Sequence, residues 1–177
     1  MVDLTGLQLI VQGTSWTDRA LDIIAVHGLR GYDTWEYPSH GVEDNSRAIF
    51  WVKDFLPKDF PSAKIFTYHY HSTAFRDGQA ITEAADKLLA KLKSLQADNI
   101  ERSRPLVFIC HSVGGLILQC ALNKAFDKKG ETVLGDIITA TQGIIFLGTP
   151  HLNSDLDTSL SRITAASETI VSIMFDT

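Results

Sequence analysis

Five short apolar runs alternate with helical stripes along this chain. The runs are residues 7–11, 23–26, 64–70, 106–109 and 143–147. A strand with one wet face alternates polar and apolar residues, whereas a strand covered on both faces stays apolar throughout. Between the runs, Ile81, Ala84, Ala85, Leu88, Leu92 and Leu95 recur at three- and four-residue spacing, the stripe of an amphipathic helix. Residues 116–126 are apolar on most sides, as expected of a helix pressed against a sheet. The alternation predicts an α/β fold, a mainly parallel sheet with helices on both faces. Ser46 is expected to cap a helix carrying Ala48, Trp51, Val52 and Phe55, which Pro57 stops. Asp77 or Thr82 is expected to cap the helix around residues 81–95, and Gly130 to end the one after residue 116.

The 177 residues are 45% hydrophobic and 21% charged, with a net charge of −5, which fits a single domain spanning residues 1–177. No lysine–arginine stripe is present, so no nucleic-acid partner is expected. No apolar run reaches the length of a membrane span, and the first residues lack the basic and apolar parts of a secretory leader. The two cysteines, Cys110 and Cys120, fall at a turn and in the helix after it, a placement unsuited to a disulfide. A cytoplasmic, reducing setting is expected.

The sequence Cys110-His111-Ser112-Val113-Gly114-Gly115 lies between the run at 106–109 and the apolar helix after it. A serine at a sharp strand-to-helix turn is pushed out above the sheet, as nucleophilic attack requires. The nucleophile-elbow pattern has glycine two residues before the serine, where this chain has Cys110, a compact hydrophobe expected to point inward. The helix begins at the serine, so its first N–H groups face any oxyanion formed there. A second motif, His27-Gly28-Leu29, ends the run at 23–26. Acyl transfer needs two N–H donors on the developing oxyanion, and the backbone N–H groups of Leu29 and Val113 are the candidates.

These motifs lie in order with Trp51-Val52-Lys53-Asp54-Phe55-Leu56-Pro57, Ile65-Phe66-Thr67-Tyr68 and Gly143-Ile144-Ile145-Phe146-Leu147-Gly148-Thr149-Pro150-His151. Together they resemble the lipase-like serine-esterase branch of the α/β-hydrolase superfamily. Within it the chain is most similar to the esterase-like domains at the N-termini of fungal NOD-like receptor (STAND) proteins. The resemblance implies hydrolysis of carboxylic or lipid esters through an acyl-enzyme, with no cofactor. It implies Ser112 as nucleophile, Leu29 and Val113 as oxyanion-hole donors, and His27, Gly28, His111 and Gly114 as residues that shape the hole.

The resemblance also implies a serine–acid–histidine order with the histidine after the last strand. No histidine follows His151. One element is expected beyond it, a helix with Leu156, Leu160, Ile163, Ile170 and Met174 on one stripe, and the fold is expected to stop before its final strands. Three readings follow: acid and base supplied from further along a longer protein, an interaction or effector module that has lost its base, or His151 acting as base with Asp155 or Asp157 orienting it. An apolar strand left at the sheet edge, around Ile144 to Leu147, is expected to self-associate or take a partner segment. His40, His69 and His71 lack acidic or cysteine partners at ligand spacing, so no metal is expected. Asp77, Asp86 and Asp98 are expected at helix faces or ends.

Overall fold

The structure, a computed structural model, describes residues 5–14, 20–31, 35–37, 49–71, 78–97 and 104–150. Its main sheet has five strands: β1 (Gly6–Val11), β2 (Asp22–Val26), β5 (Lys64–His69), β6 (Leu106–His111) and β7 (Thr141–Leu147). Their order is β1-β5-β2-β6-β7, and every pair is parallel except β1 with β5. A separate two-stranded ribbon pairs β3 (Glu36–Tyr37) with β4 (Ile49–Phe50). The helices are α1 (Trp51–Asp54), α2 (Leu56–Asp59), α3 (Gly78–Ala97), α4 (Val113–Asp127) and α5 (Thr132–Ala140).

The central strands read as apolar runs because both of their faces are covered. Every residue of β2 is buried. Successive strand residues point to opposite faces. Ile24 and Val26 therefore join Phe66, Tyr68, Phe108 and Cys110 in a core against α3, α4 and α5. Ile23 and Ala25 join Ile65 and Ile109 in a second core beneath Trp35, Phe50 and Val52. The stripe predicted on α3 faces the first core, with Ile81, Ala85, Leu88 and Leu92 wholly excluded from solvent. Burying a side chain of that size contributes roughly 1.5–3 kcal/mol, which makes this layer the main stabilising contact of the helices.

Several local expectations are corrected. The single helix carrying Ala48 to Phe55 is instead a strand residue pair followed by two short helices. The Asp54 carboxylate accepts the Phe50 N–H at 2.8 Å and ties the strand end to the first helix. Pro57 does not stop a helix but stands in the first turn of α2, where a missing N–H costs nothing. Thr82 lies inside α3 rather than at its cap. Helix α5 and the β3–β4 ribbon had no clear sequence signal. Ser46, His40, Asp77 and Asp98 lie outside the described residues, as do Ala48 and the whole stretch 151–177 with its expected helix. Asp86 lies on the surface of α3 and pairs with Lys124 at 2.5 Å.

The amino ends of the central strands are joined by a buried ion pair. Arg104 Nε donates to Asp22 Oδ1 at 2.5 Å, and Arg104 Nη2 donates to the carbonyls of Leu21 (2.9 Å) and Ser62 (3.2 Å). Both side chains are almost fully buried. Burial pushes the Asp22 carboxyl up, opposed by the hydrogen bond and charge of Arg104 and by Lys64. A buried pair of this kind is worth little over an apolar replacement, but removing one partner strands a charge. Arg104→Met is expected to cost about 3–5 kcal/mol in urea unfolding, and the Asp22→Leu/Arg104→Met double variant clearly less. A double variant less stable than the single would overturn that account.

Candidate active site

Ser112 occupies the one-residue junction between β6 and α4. Its backbone sits at φ 50, ψ −124 and is the only non-glycine with positive φ among the described residues. Such a conformation costs on the order of 1–3 kcal/mol and persists only when neighbours impose it. Here three hydrogen bonds do so. Ser112 N–H donates to the Leu147 carbonyl at 2.8 Å, and the Ser112 carbonyl accepts from Thr149 Oγ1 at 3.0 Å and from Gly115 N–H at 3.1 Å. A serine at a helix N-cap usually turns its hydroxyl onto the first N–H groups, but this one makes no capping bond. Its hydroxyl is not spent on the helix end.

Close packing surrounds that turn. A Cβ on Gly114 would collide with the carbonyl oxygens of Val26 and His27, so helix and strand can meet only because the residue is glycine. A Cβ on Gly28 would stand 2.6 Å from His111 Nδ1 and 3.1 Å from Ser112 Cβ. The loop after β2 therefore abuts the serine directly. Thr149, just past β7, packs against Gly115 as well as bonding Ser112. Cys110 is fully buried, and burial pushes its thiol pKa up, so it serves as a core residue.

The loop after β2 is held by side chains. His27 is buried, with Nδ1 at 2.8 Å from the Gly28 carbonyl and Nε2 accepting the Tyr70 N–H at 3.3 Å. Only the tautomer with its proton on Nδ1 satisfies both contacts. Burial lowers the His27 pKa to about 4, partly offset by its bond to the Gly28 carbonyl. His69 and His111 are lowered too, each mainly by burial, with the Arg30 charge adding to the effect on His111. His111 Nδ1 is buried and has no hydrogen-bond partner among the described residues.

The structure thus brings together Ser112, Val113, Gly114, His111, His27, Gly28 and Leu29, at the carboxyl ends of β2 and β6. Val113 is buried as the first residue of α4, where a helix N–H has no intrahelical partner. His151, Asp155 and Asp157 lie outside the described residues. Sequence reasoning missed Thr149 and Tyr70. The Gly-Thr-Pro-His run marked the first as a strand end, and no local signal marked the second. A cavity of about 350 Å³ opens beside β5 and α3, with His69, Tyr70, His71, Lys87 and Lys91 on its wall; Ser112 is not among its lining residues. No group of three or more His, Cys, Asp or Glu residues is placed to hold a metal ion among the described residues. No helix among them is long and apolar enough to cross a membrane.

A mostly parallel α/β sheet with a strained serine beyond a strand end is consistent with a hydrolase-like domain. The chain belongs to the family described as "Putative serine esterase (DUF676)", which it matches over residues 23–170. It is similar to the mouse protein SERAC1, 33% identical over 153 residues, covering 76% of this chain and 22% of that protein. The human protein SERAC1 is 31% identical over the same length, and the zebrafish one 26% identical over 149 residues. The chain therefore spans about a fifth of the length of these relatives. No solved structure matches.

The three depressed histidines set a pH response. Between their folded values and the usual 6.5, the unfolded chain takes up protons that the folded chain refuses. Stability therefore rises with pH through that window and falls on acidification. From pH 6.5 to 5, above the range of ordinary carboxylates, His27 alone is expected to remove about 1.5 kcal/mol. Urea midpoints that stay level across that interval would contradict neutral burial of His27.

Proposed function

We propose that this domain is a serine esterase acting on carboxylic or lipid esters. In this reading Ser112 Oγ attacks the ester carbonyl and its proton passes to a base. The tetrahedral oxyanion is held by the N–H groups of Leu29 and Val113. Collapse expels the alcohol and leaves an acyl group on Ser112, which water then removes as a carboxylic acid. His27, Gly28, His111 and Gly114 shape the oxyanion hole. The base is either His151, oriented by Asp155 or Asp157, or a histidine elsewhere in a longer protein.

The observation that carries this reading is the backbone of Ser112. A serine at positive φ, held by bonds from the carboxyl end of β7 and with its hydroxyl not used as a cap, supports reading the turn as a nucleophile elbow. Family membership supports an ester substrate. With His151 as base, a fluorophosphonate probe is expected to label the purified chain on Ser112 and to leave Ser112→Ala unlabelled; with the base elsewhere, the same contrast is expected in the longer protein. Thr149→Val keeps the shape and loses the bond to Ser112, and it is expected to slow labelling by about tenfold. Labelling that survives Ser112→Ala would sink the assignment.

A second reading, a catalytically incomplete hydrolase-fold effector or interaction module of a larger signalling protein, draws on one observation. Among the described strands β7 is an edge of the sheet, and Ile144, Ile145 and Leu147 are 37%, 49% and 37% exposed. An apolar edge is a template for pairing with another strand. Two copies are expected to associate along β7, and sedimentation velocity over a concentration series should show it. A monomer that persists at high concentration, with Ile145→Lys indistinguishable from the native chain, would exclude it.

A further inference from the structure

Tyr70 sits immediately beyond β5, and the motifs around Ser112 give it no part. Yet it makes three separate contacts with His27. Its hydroxyl donates to the His27 carbonyl at 2.5 Å. Its backbone N–H donates to His27 Nε2 at 3.3 Å. Its ring stacks on the imidazole, with centroids 4.1 Å apart and planes 22° apart. Both residues are buried.

We infer that Tyr70 is a positioning residue for the oxyanion loop, acting through His27 to set the direction of the Leu29 N–H. This rests on the esterase reading of the site. The geometry runs through two successive peptide groups. The first joins His27 to Gly28. Its carbonyl is fixed by the Tyr70 hydroxyl on one side and by the close approach of Gly114 on the other. The second joins Gly28 to Leu29. Its carbonyl accepts His27 Nδ1–H at 2.8 Å and Gly31 N–H at 3.1 Å. In a trans peptide the N–H points opposite to the carbonyl. Holding the Gly28 carbonyl toward His27 and Gly31 therefore turns the Leu29 N–H the other way.

The tautomer is part of the device. Tyr70 N–H occupies Nε2, which leaves the imidazole proton on Nδ1, the atom facing the Gly28 carbonyl. With the proton on Nε2, two donors would face each other there and two acceptors would face each other at Gly28. The loop would then lose the bond that orients it. Tyr70 thus sets both the carbonyl before Gly28 and the proton position that holds the carbonyl after it. An oxyanion donor that is loosely aimed must be reorganised during the reaction, which forfeits much of its effect.

The test compares Tyr70→Phe with Tyr68→Phe. Tyr68 is another buried tyrosine in the same core, and its hydroxyl donates to the Ala84 carbonyl at 2.7 Å, away from His27. Both variants lose one buried hydrogen bond and keep their rings, so similar falls in melting temperature are expected. Fluorophosphonate labelling of Ser112 is expected to slow about tenfold or more in Tyr70→Phe and to stay near the native rate in Tyr68→Phe. Nitrogen-15 spectra of the native chain should show His27 protonated on Nδ1, and the Leu29 amide signal should move in Tyr70→Phe alone. Equal slowing in both variants, an unmoved Leu29 amide in Tyr70→Phe, or a native His27 protonated on Nε2 would each overturn the inference. Absence of labelling in the native chain would exclude His151 as a working base rather than Tyr70 as a positioning residue, and the spectra would still decide whether Tyr70 holds the loop.

Discussion

The arrangement of this domain turns on the backbone of one residue. Ser112 adopts a conformation that side chains resist, and the conformation is imposed from outside the turn. Its N–H is fixed by the Leu147 carbonyl at the end of β7, and its carbonyl by the Thr149 hydroxyl two residues further on. Neither bond exists unless β7 lies parallel to β6 in the observed register, where His111 pairs with Leu147. The sheet therefore determines the serine's strain, and the strained backbone sets the direction in which its Cβ leaves the chain. Gly114 and Gly28 belong to the same constraint, since helix α4 and the loop after β2 could not otherwise close on the turn.

The two ends of the sheet solve different electrostatic problems. At the amino ends, Asp22 and Arg104 are buried as charges, and the arginine also satisfies carbonyls of Leu21 and Ser62. That cluster joins β2, the approach to β5 and the approach to β6 at one point. At the carboxyl ends, His27 is buried as a neutral ring, its two nitrogens matched to one acceptor and one donor. A charge there would be unpaired, and burial accordingly drives its pKa to about 4. The serine turn thus stands in an environment of neutral imidazoles and oriented backbone dipoles.

Much of this was legible from the residues in order. The five strands fell where apolar runs predicted them; in β2, β5 and β6 burial on both faces leaves little room for polar alternation, whereas β1 and β7 are partly exposed. The long helix followed its three- and four-residue stripe. The serine turn and the His27-Gly28 loop were visible because the close approaches they need leave small residues at fixed offsets. Other parts gave no local signal. Pro57 reads as a helix stop by propensity, yet the first turn of α2 accommodates it. The antiparallel pairing of β1 with β5 has no counterpart in the composition of either strand.

The sequence by itself determined the class of fold, the position of the candidate nucleophile and the loop that meets it. Those features depend on periodicity and on steric demands felt within a few residues. Only the tertiary structure decided which side chains hold that site in place. Thr149 lies 37 positions from Ser112, Tyr70 lies 43 from His27, and Arg104 lies 82 from Asp22. A hydrogen bond across such a separation leaves no periodic trace, because its partners are selected by the order and register of strands rather than by their neighbours in the chain.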